Sequence, residues 1–234
     1  MRELEDVAAK HDQTEGFTPR LIACRAHTLA TVVPSGSVLD LGCADGLLTA
    51  HLAKSQQRVL GVDASATRLS RARERTREMP NVELRRALFD ELSLEERFDA
   101  VVISCVLEHV ASPQALLRRA ANWLRPEGKI VAIVPHAGSL HRRLGQKMGI
   151  LLEVTDPGSA DEALEHRRVY TRQALAADFA AAGLEVIDSG GYLIKPLPNE
   201  AMATLEPRFV DACEELGREL PDLAAEIYAV GRPR

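Results

Sequence analysis

The stretch from Val38 to Thr49, with the sequence VLDLGCADGLLT, decides the fold of this chain. Its first four residues predict a short strand, because a parallel strand covered on both faces is apolar nearly throughout. Gly42 and Gly46 predict a turn, since backbone without a Cβ takes positive φ and lets a ligand approach closely. A helix predicted from about Leu47 points its unpaired N–H groups into that turn. We therefore expect a small-molecule binding site at this corner.

Length and charge limit the class of protein. The 234 residues suit a single α/β domain with room for a substantial core, and 46% hydrophobic with 27% charged residues is typical of a globular chain. A net charge of −5 argues against a nucleic-acid partner, which would normally face a basic surface. The four cysteines include no C-x-x-C pair, which favours free thiols in a reducing compartment. No signal peptide or membrane-spanning run is found, so we expect a cytoplasmic protein with no membrane partner.

Four further strands follow the first at regular spacing, each separated from the next by a helix or a loop. They are predicted at Arg58 to Asp63, Asn81 to Ala87, Phe98 to Ser104 and Lys129 to Val134. Such alternation predicts a parallel sheet with right-handed crossovers. The segment Arg125 to Gly128 is predicted to be a turn, and a helix with Thr18 as N-cap is predicted to precede the first strand.

Polar residues gather where these strands end, which is where open parallel sheets bind ligands. They are Asp40, Asp63, Asp90, Ser104 with His109, and His136. Asp63 lies 21 positions beyond Gly42 (63 − 42), the spacing at which a nucleotide-binding unit places an acid for the ribose hydroxyls.

These residues resemble the class I S-adenosylmethionine (SAM)-dependent methyltransferases, especially the small-molecule branch similar to the ubiquinone-biosynthesis O-methyltransferases. The match lies in VLDLGCADG, GVDAS, FDAVVISCVLEHV and LRPEGKIVAIVPH, which follow one another in the family's order. The chain departs from the family at Ala44, where glycine is usual. Because Gly42 and Gly46 remain, we expect cofactor binding to survive.

The resemblance implies SAM as cofactor and S-adenosylhomocysteine as product. Asp40, Gly42, Cys43 and Gly46 would contact its methionine part, and Asp63 the ribose, with Ala64 beside the base. Phe89 and Asp90 would flank the adenine, and Ser104 would close the pocket. It also implies a doubly wound, Rossmann-like, seven-stranded, mostly parallel α/β sheet with an antiparallel last strand. Late segments at 184–188, 192–194 and 225–230 supply the final strands, with a helix between Asn199 and Leu220.

Two other classes compete. A nicotinamide- or flavin-dependent oxidoreductase would carry G-x-G-x-x-G, and counting from Gly42 this fingerprint fails at Ala44 and Leu47. A protein that binds SAM without catalysis stays open, because SAM motifs do not report turnover. The methyltransferase interpretation is favoured over both.

Residues 137–170 are too many for a plain loop, and we interpret them as a lid or substrate-binding insertion in one domain spanning 1–234. Two His-Arg-Arg triplets there suit an anionic acceptor, since arginine forks match carboxylate or phosphate. Surface pairing of these arginines with nearby acids is an equally good explanation. The candidate substrate residues are Arg143, His166, Arg167 and Tyr170.

Methyl transfer to a hydroxyl needs a positioned nucleophile and a base for its proton, a task that suits histidine. His136 and His109 are the candidates, with His136 slightly favoured. No zinc spacing is present and Glu108 alone is a poor magnesium site, so we expect no metal. The expected function is methyl transfer to a hydroxyl or carboxyl oxygen of a polar small molecule, or, alternatively, to the nitrogen of a small amine such as an amino sugar. The oligomeric state is left open, with a homodimer as one option.

Overall fold

The computed structural model of the protein describes residues 13–234; a frayed helix predicted for Met1 to Lys10 lies outside them. The helices are α1 (Thr18–Val32), α2 (Leu47–Ala53), α3 (Ala66–Arg75), α4 (Pro113–Ala121), α5 (Leu140–Lys147), α6 (Ser159–Ala163), α7 (Arg172–Ala181), α8 (Asn199–Met202) and α9 (Pro207–Glu219), with a 3-10 turn at Pro221–Leu223. The strands are β1 (Ser37–Leu41), β2 (Arg58–Asp63), β3 (Val82–Arg86), β4 (Phe98–Ser104), β5 (Leu124–Pro135), β6 (Leu184–Tyr192) and β7 (Glu226–Pro233). Over the described residues, every helix is too short or too polar to cross a bilayer.

The strands form one sheet in the order β3-β2-β1-β4-β5-β7-β6. β1 pairs in parallel with both β2 and β4, and β2 pairs in parallel with β3. The last two strands, β6 and β7, run antiparallel. The predicted fold class is confirmed: a doubly wound, mostly parallel α/β sheet that closes with an antiparallel strand.

The chain folds as two compact units. One comprises the described chain up to Ser104 together with Leu116–Val131. Its centre is β1, whose five residues are all buried. Leu41 lies opposite Val62 on one side and Ile103 on the other, and all three side chains are fully buried. Burying each such side chain contributes roughly 1.5–3 kcal/mol, which explains why the apolar run of the central stretch forms a strand.

The other unit comprises Cys105–Ala115 and Ala132–Arg234. In it β6 pairs with β7 through a bulge at Ile187, which leaves that side chain 38% exposed. Helix α7 packs the buried Phe179 against this pair, and Gly231 is required there because a Cβ would lie 2.5 Å from the Phe179 ring. Residues 137–170 hold the two helices α5 and α6, and a bridge between His136 and Tyr170 joins the ends of the segment.

Three local predictions are wrong. Thr18 is the first residue of helix α1 and Pro19 the second, so the N-cap is Phe17 and not Thr18. The predicted turn at Arg125 to Gly128 is the beginning of β5, where Glu127 takes a φ of +65° and the strand continues. The single helix predicted over Asn199 to Leu220 is two helices, because Pro207 cannot continue α8 and instead begins α9.

The turn between β1 and α2 is built from left-handed backbone. Gly42, Ala44 and Gly46 have φ of +79°, +48° and +76°. At Gly46 a side chain is also excluded by space, because a Cβ would lie 2.8 Å from the Cβ of Ala72 in α3. Ala44 holds the same kind of conformation with a Cβ, which costs an L-residue roughly 1–2 kcal/mol. The departure from the family's glycine is therefore a strained position.

We predict that Ala44→Gly leaves the free energy of unfolding unchanged or raises it by up to about 1 kcal/mol, because relief of strain offsets the added freedom of the unfolded chain. Ala50→Gly, the same substitution in the regular backbone of α2, is the control and should lower it by about 1 kcal/mol. Urea unfolding followed by circular dichroism measures both. Equal destabilisation by the two substitutions would show that Ala44 is not strained.

Candidate functional site

Three parallel strands end side by side in the first unit. Asp40 of β1 lies opposite Gly61 of β2 and Val102 of β4, so that Asp63 and Ser104 end the two flanking strands just beyond it. The strand order reverses here, because β2 and β3 lie on one side of β1 and β4 on the other. Such a switch point is where open α/β sheets bind ligands.

The carboxylate of Asp63 holds the turn in place. Its Oδ2 accepts a hydrogen bond from the backbone N–H of Ala44 at 3.0 Å, and its Oδ1 accepts one from the N–H of Ser65 at 2.9 Å. Ser65 in turn caps α3, because its side chain accepts from the N–H of Arg68. A carboxylate offers about four acceptor positions, so each oxygen keeps one for a ligand hydroxyl. The expected role of Asp63 toward a ribose is compatible with these bonds.

Asp40 is a buried acid with one hydrogen bond from a neighbouring helix. It is 1% exposed, and the hydroxyl of Thr49 in α2 donates to its Oδ2 at 2.7 Å. Burial raises the pKa of Asp40 to about 6, with the charge of Asp63 adding to the rise and the Thr49 bond opposing it. A bound cation would favour the ionised form and relieve that cost.

The other predicted cofactor residues differ in their burial and in their hydrogen bonds. Cys43 is buried, its N–H donates to Val62, and burial raises the pKa of its thiol. Ser104 is half-buried, and within the described residues its Oγ is enclosed without a hydrogen-bond partner. Ala64 and Phe89 are half-buried, and their carbonyls accept from Arg86 and Arg119, respectively. Asp90 is exposed.

These residues fit SAM. The sulfonium and ammonium groups of that cofactor are cationic, and the corner offers the carboxylates of Asp40, Asp45 and Asp63, all at most 9% exposed. Asp45 also accepts at Oδ2 from the N–H of Gln13 at 3.3 Å and from Arg71 at 3.4 Å. Its Oδ1, like Ser104 Oγ, is buried without a hydrogen-bond partner among residues 13–234. Buried polar atoms of this kind need a partner, which a polar ligand would supply.

The two histidines predicted as base have different surroundings in the second unit. His136 is 5% exposed, its Nδ1 lies 3.0 Å from the carbonyl oxygen of Ala224, and burial lowers its pKa. Its ring also covers Gly138, where a Cβ would come within 2.8 Å of Nε2. His109 is exposed. Whether either histidine is catalytic stays a prediction.

His109 belongs to a cluster that sequence analysis did not assemble. Its ring meets that of His166 edge-on, with centroids 4.7 Å apart. Glu108 joins them, and one ligand atom from each of the three residues lies within 4.8 Å of the others. This geometry could hold a metal ion, so it bears on the expectation of a metal-free enzyme. No local spacing pointed to it, because 57 positions (166 − 109) separate the two histidines.

Asp161 orients His166 and is itself held by a buried arginine. Its Oδ1 lies 2.9 Å from His166 Nδ1, and its Oδ2 accepts from Arg142 Nη1 at 2.7 Å. Arg142 also donates to the carbonyls of Val154 and Asp156, so it ties α5 to α6 across the segment. A carboxylate at Nδ1 fixes the tautomer and leaves Nε2 as the basic nitrogen.

The structure separates the arginines of the two His-Arg-Arg triplets into fixed and exposed members. Arg142 and Arg168 are fixed, the latter donating to the carbonyls of Leu107 and Val110 at 2.7 and 2.6 Å. Arg143 and Arg167, the predicted substrate residues, are exposed, and Arg143 also donates through Nε to the carbonyl of Gly138 at 2.7 Å. Tyr170, also predicted, is 2% exposed and donates its hydroxyl to Asp178 at 2.8 Å; burial and that bond raise its pKa.

Comparison with known proteins identifies the family. A family model described as "Methyltransferase domain" matches residues 15–189. The ubiquinone biosynthesis O-methyltransferase of Xanthomonas axonopodis pv. citri is 31% identical over 181 residues, covering 74% of this chain and 72% of that protein. An uncharacterised 37.1 kDa protein in transposon TN4556 of Streptomyces fradiae is 39% identical over 111 residues, but the chain spans only 32% of its length.

Solved structures share the fold. A SAM-dependent methyltransferase of Thermotoga maritima, described as a possible histamine N-methyltransferase, superposes with a TM-score of 0.66 at 17% identity, covering 93% of this chain and 92% of that one. The DhpI–SAM–HEP complex gives 0.63 at 18% identity, covering 98% and 94%. The chain belongs to the methyltransferase-domain family and is a class I SAM-dependent methyltransferase.

Proposed function

We propose that this enzyme transfers the methyl group of SAM to a hydroxyl or carboxyl oxygen of a polar small molecule. The observation that carries the proposal is the Asp161–His166 pair beside His109, with His166 Nδ1 bonded to a carboxylate at 2.9 Å. A hydroxyl acceptor needs a base in reach of its proton, whereas an amine can lose its proton to solvent. An oriented histidine pair therefore favours an oxygen acceptor.

SAM supplies an electrophilic methyl group on a sulfonium, and we assign its binding to residues of the first unit. The Asp40 carboxylate attracts the cationic methionine part of SAM. The backbone of Gly42, Cys43 and Gly46 contacts the same part of the cofactor. Asp63 accepts from the ribose hydroxyls, with Ala64 next to the base. Phe89 and Asp90 flank the adenine, and Ser104 closes the site. The support is the group of buried acids and the enclosed Oγ at the ends of neighbouring strands.

The proton of the acceptor passes to a histidine in this proposal. Of the predicted bases, exposed His109 fits the task better than His136, because burial lowers the pKa of His136 and so weakens it as a base. His166 Nε2 is the alternative, since Asp161 stabilises the imidazolium that forms there. In-line displacement then depends on how the acceptor oxygen is positioned.

We assign acceptor recognition to residues 137–170, treated as a substrate-binding insertion in one catalytic domain. The exposed Arg143 and Arg167 suit an anionic group on the acceptor, and the net charge of −5 speaks against nucleic acid as substrate. Tyr170 shapes this region through its bond to Asp178.

The direct test is methyl transfer from radiolabelled SAM to a panel of small phenols, carboxylic acids, sugars and amino sugars. We expect turnover with an oxygen nucleophile and its loss in His109→Ala. Loss in His166→Ala instead, with Asp161→Asn lowering kcat more than it raises KM, would assign the base to His166. Turnover of amines alone would establish the N-methyltransferase alternative instead. The same assay after chelation tests metal independence: lost activity that Zn²⁺ or Mn²⁺ restores would assign a metal to Glu108, His109 and His166.

The raised pKa of Asp40 makes SAM binding depend on pH. Because the ionised carboxylate attracts the SAM cation, affinity should be constant above pH 7 and fall by about tenfold per unit well below pH 6, where the free enzyme holds a proton on Asp40. Calorimetric titration between pH 5 and 8, with circular dichroism to confirm folding, measures this.

Asp40→Asn is the matched control for the pH titration, because the amide keeps the size of the side chain and an acceptor for Thr49. This variant should bind SAM weakly at every pH, with a flat profile. A profile in Asp40→Asn as steep as that of the wild type would assign the titration to another group.

A further inference from the structure

One carboxylate and two imidazoles meet in the second unit at Glu108, His109 and His166. One ligand atom from each residue lies within 4.8 Å of the others, and the two rings meet edge-on with centroids 4.7 Å apart. The ligand atoms of a tetrahedral zinc site lie roughly 3.3 Å apart, because Zn–N and Zn–O distances are about 2.0 Å. Rotation of the His109 side chain, which is exposed, can bring its nitrogen inward and close the remaining distance.

The cluster is accessible from one side. His109 is exposed, whereas Glu108 is 1% exposed and the side chain of His166 is 7% exposed. A Zn²⁺ ion lies about 2.0 Å from a carboxylate oxygen, whereas a water molecule lies roughly 2.7 Å away, so the ion needs less room than a water. The ion therefore enters past the exposed imidazole, and the buried carboxylate supplies the negative charge.

A second carboxylate holds His166 in the tautomer that a metal ligand needs. Asp161 Oδ1 lies 2.9 Å from His166 Nδ1, which leaves Nε2 as the nitrogen with a lone pair for the ion. Asp161 is held in turn by Arg142, whose Nη1 donates to Oδ2 at 2.7 Å. Metal-binding histidines almost always have such a partner at their other nitrogen, because it fixes the ring and raises its basicity.

Hydrogen bonds to the backbone hold the two distant segments of the cluster together. The N–H of Arg167 donates to the carbonyl of Glu108 at 2.9 Å. The side chain of Arg168 donates through Nη1 to the carbonyls of Leu107 and Val110 at 2.7 and 2.6 Å. These bonds flank all three ligands, so the folded chain places them before an ion arrives. Such preorganisation lowers the entropic cost of binding.

The ligand types favour zinc over magnesium. Imidazole is a good ligand for Zn²⁺, whereas Mg²⁺ takes oxygen ligands in octahedral geometry and gives up its water reluctantly. Glu108 supplies the one carboxylate of the set, and its burial favours a cation as partner. Three protein ligands leave the fourth position of a tetrahedral zinc ion to water.

We propose that Glu108, His109 and His166 bind Zn²⁺ and that the bound ion blocks methyl transfer. A histidine nitrogen bonded to the ion has no lone pair left for the proton of the acceptor. This second part rests on the proposed function, in which His109, or alternatively His166, is the base. The enzyme then works without a metal and is inhibited by Zn²⁺.

The test is calorimetric titration of the metal-free, folded protein with Zn²⁺ in the absence of SAM. We expect one Zn²⁺ per chain with a micromolar or lower dissociation constant, and no displacement by excess Mg²⁺. His109→Ala removes an exposed ligand and should weaken binding at least about tenfold. His27→Ala removes an exposed imidazole from α1, in the first unit, and as the matched control should bind like the wild type.

Four outcomes overturn the zinc site: Zn²⁺ does not bind, Mg²⁺ displaces it, His109→Ala binds it as tightly as the wild type, or His27→Ala loses as much affinity as His109→Ala. If His109→Ala does not fold, Glu108→Gln decides, since it keeps the size of the side chain and removes the charge. We expect at least about tenfold weaker binding in that variant, and unchanged binding would contradict the site.

Methyl-transfer assays with and without Zn²⁺ test the inhibitory role separately. Inhibition should follow the binding curve, and a chelator should restore turnover. Zn²⁺ that binds without inhibiting, or that increases turnover, overturns the inhibitory role alone. Absence of turnover with every acceptor rejects the proposed function and the inhibitory role with it, whereas the Zn²⁺ titration needs no acceptor and still decides the zinc site.

Discussion

The carboxylate of Asp63 makes the hydrogen bonds on which the corner between β1 and α2 depends. It accepts from the N–H of Ala44 in one turn and from the N–H of Ser65 in the next, so it fixes the ends of β1 and β2 relative to each other. The same corner contains the left-handed backbone at Ala44 and the close approach of Gly46 to α3. Removing the carboxylate would leave two backbone donors without a partner, at a cost of about 1–3 kcal/mol each where they are buried. Asp63 therefore has a structural role in this corner beside the ribose contact proposed for it.

A second carboxylate has the same role in the other unit. Burial alone would raise the pKa of Asp161, but hydrogen bonds from His166, Gly158 and Arg142 outweigh it and hold that pKa well below its usual range. Because the folded state prefers the ionised form, this contribution to stability is present at neutral pH and is lost as pH falls through the acid range. Arg142, Asp161 and His166 thus link stability of the 137–170 segment to the orientation of a candidate base. Breaking one partner of such a buried pair costs more than the pair contributes, since the other charge stays buried.

The strands were predictable because their signal is local. The apolar runs at Val38 to Leu41 and Phe98 to Ser104 predicted buried strands, and both segments are strands with a buried core. One prediction from local residue types was wrong, because the segment is part of a long strand in the folded chain. Arg125 to Gly128 contains residues typical of a turn, but the segment is the beginning of β5, and Glu127 in it takes a positive φ.

The second unit was less predictable because its contacts join distant positions. His109 and His166 meet over 57 positions (166 − 109), and the two His-Arg-Arg triplets look alike although Arg142 and Arg168 are fixed while Arg143 and Arg167 are exposed. Sequence spacing does not predict these contacts, because they depend on how distant segments of the chain pack together.

The measurement that tests the central claim most directly is isothermal titration of the folded protein with SAM and, in parallel, with NADH. The account predicts a saturable SAM isotherm with a micromolar dissociation constant and no heat of binding for NADH, because the turn at Ala44 and Leu47 lacks the dinucleotide glycines while Asp40 and Asp63 remain in place. No binding of SAM, or binding of NADH in its place, would contradict the assignment of this corner and of every residue placed around it.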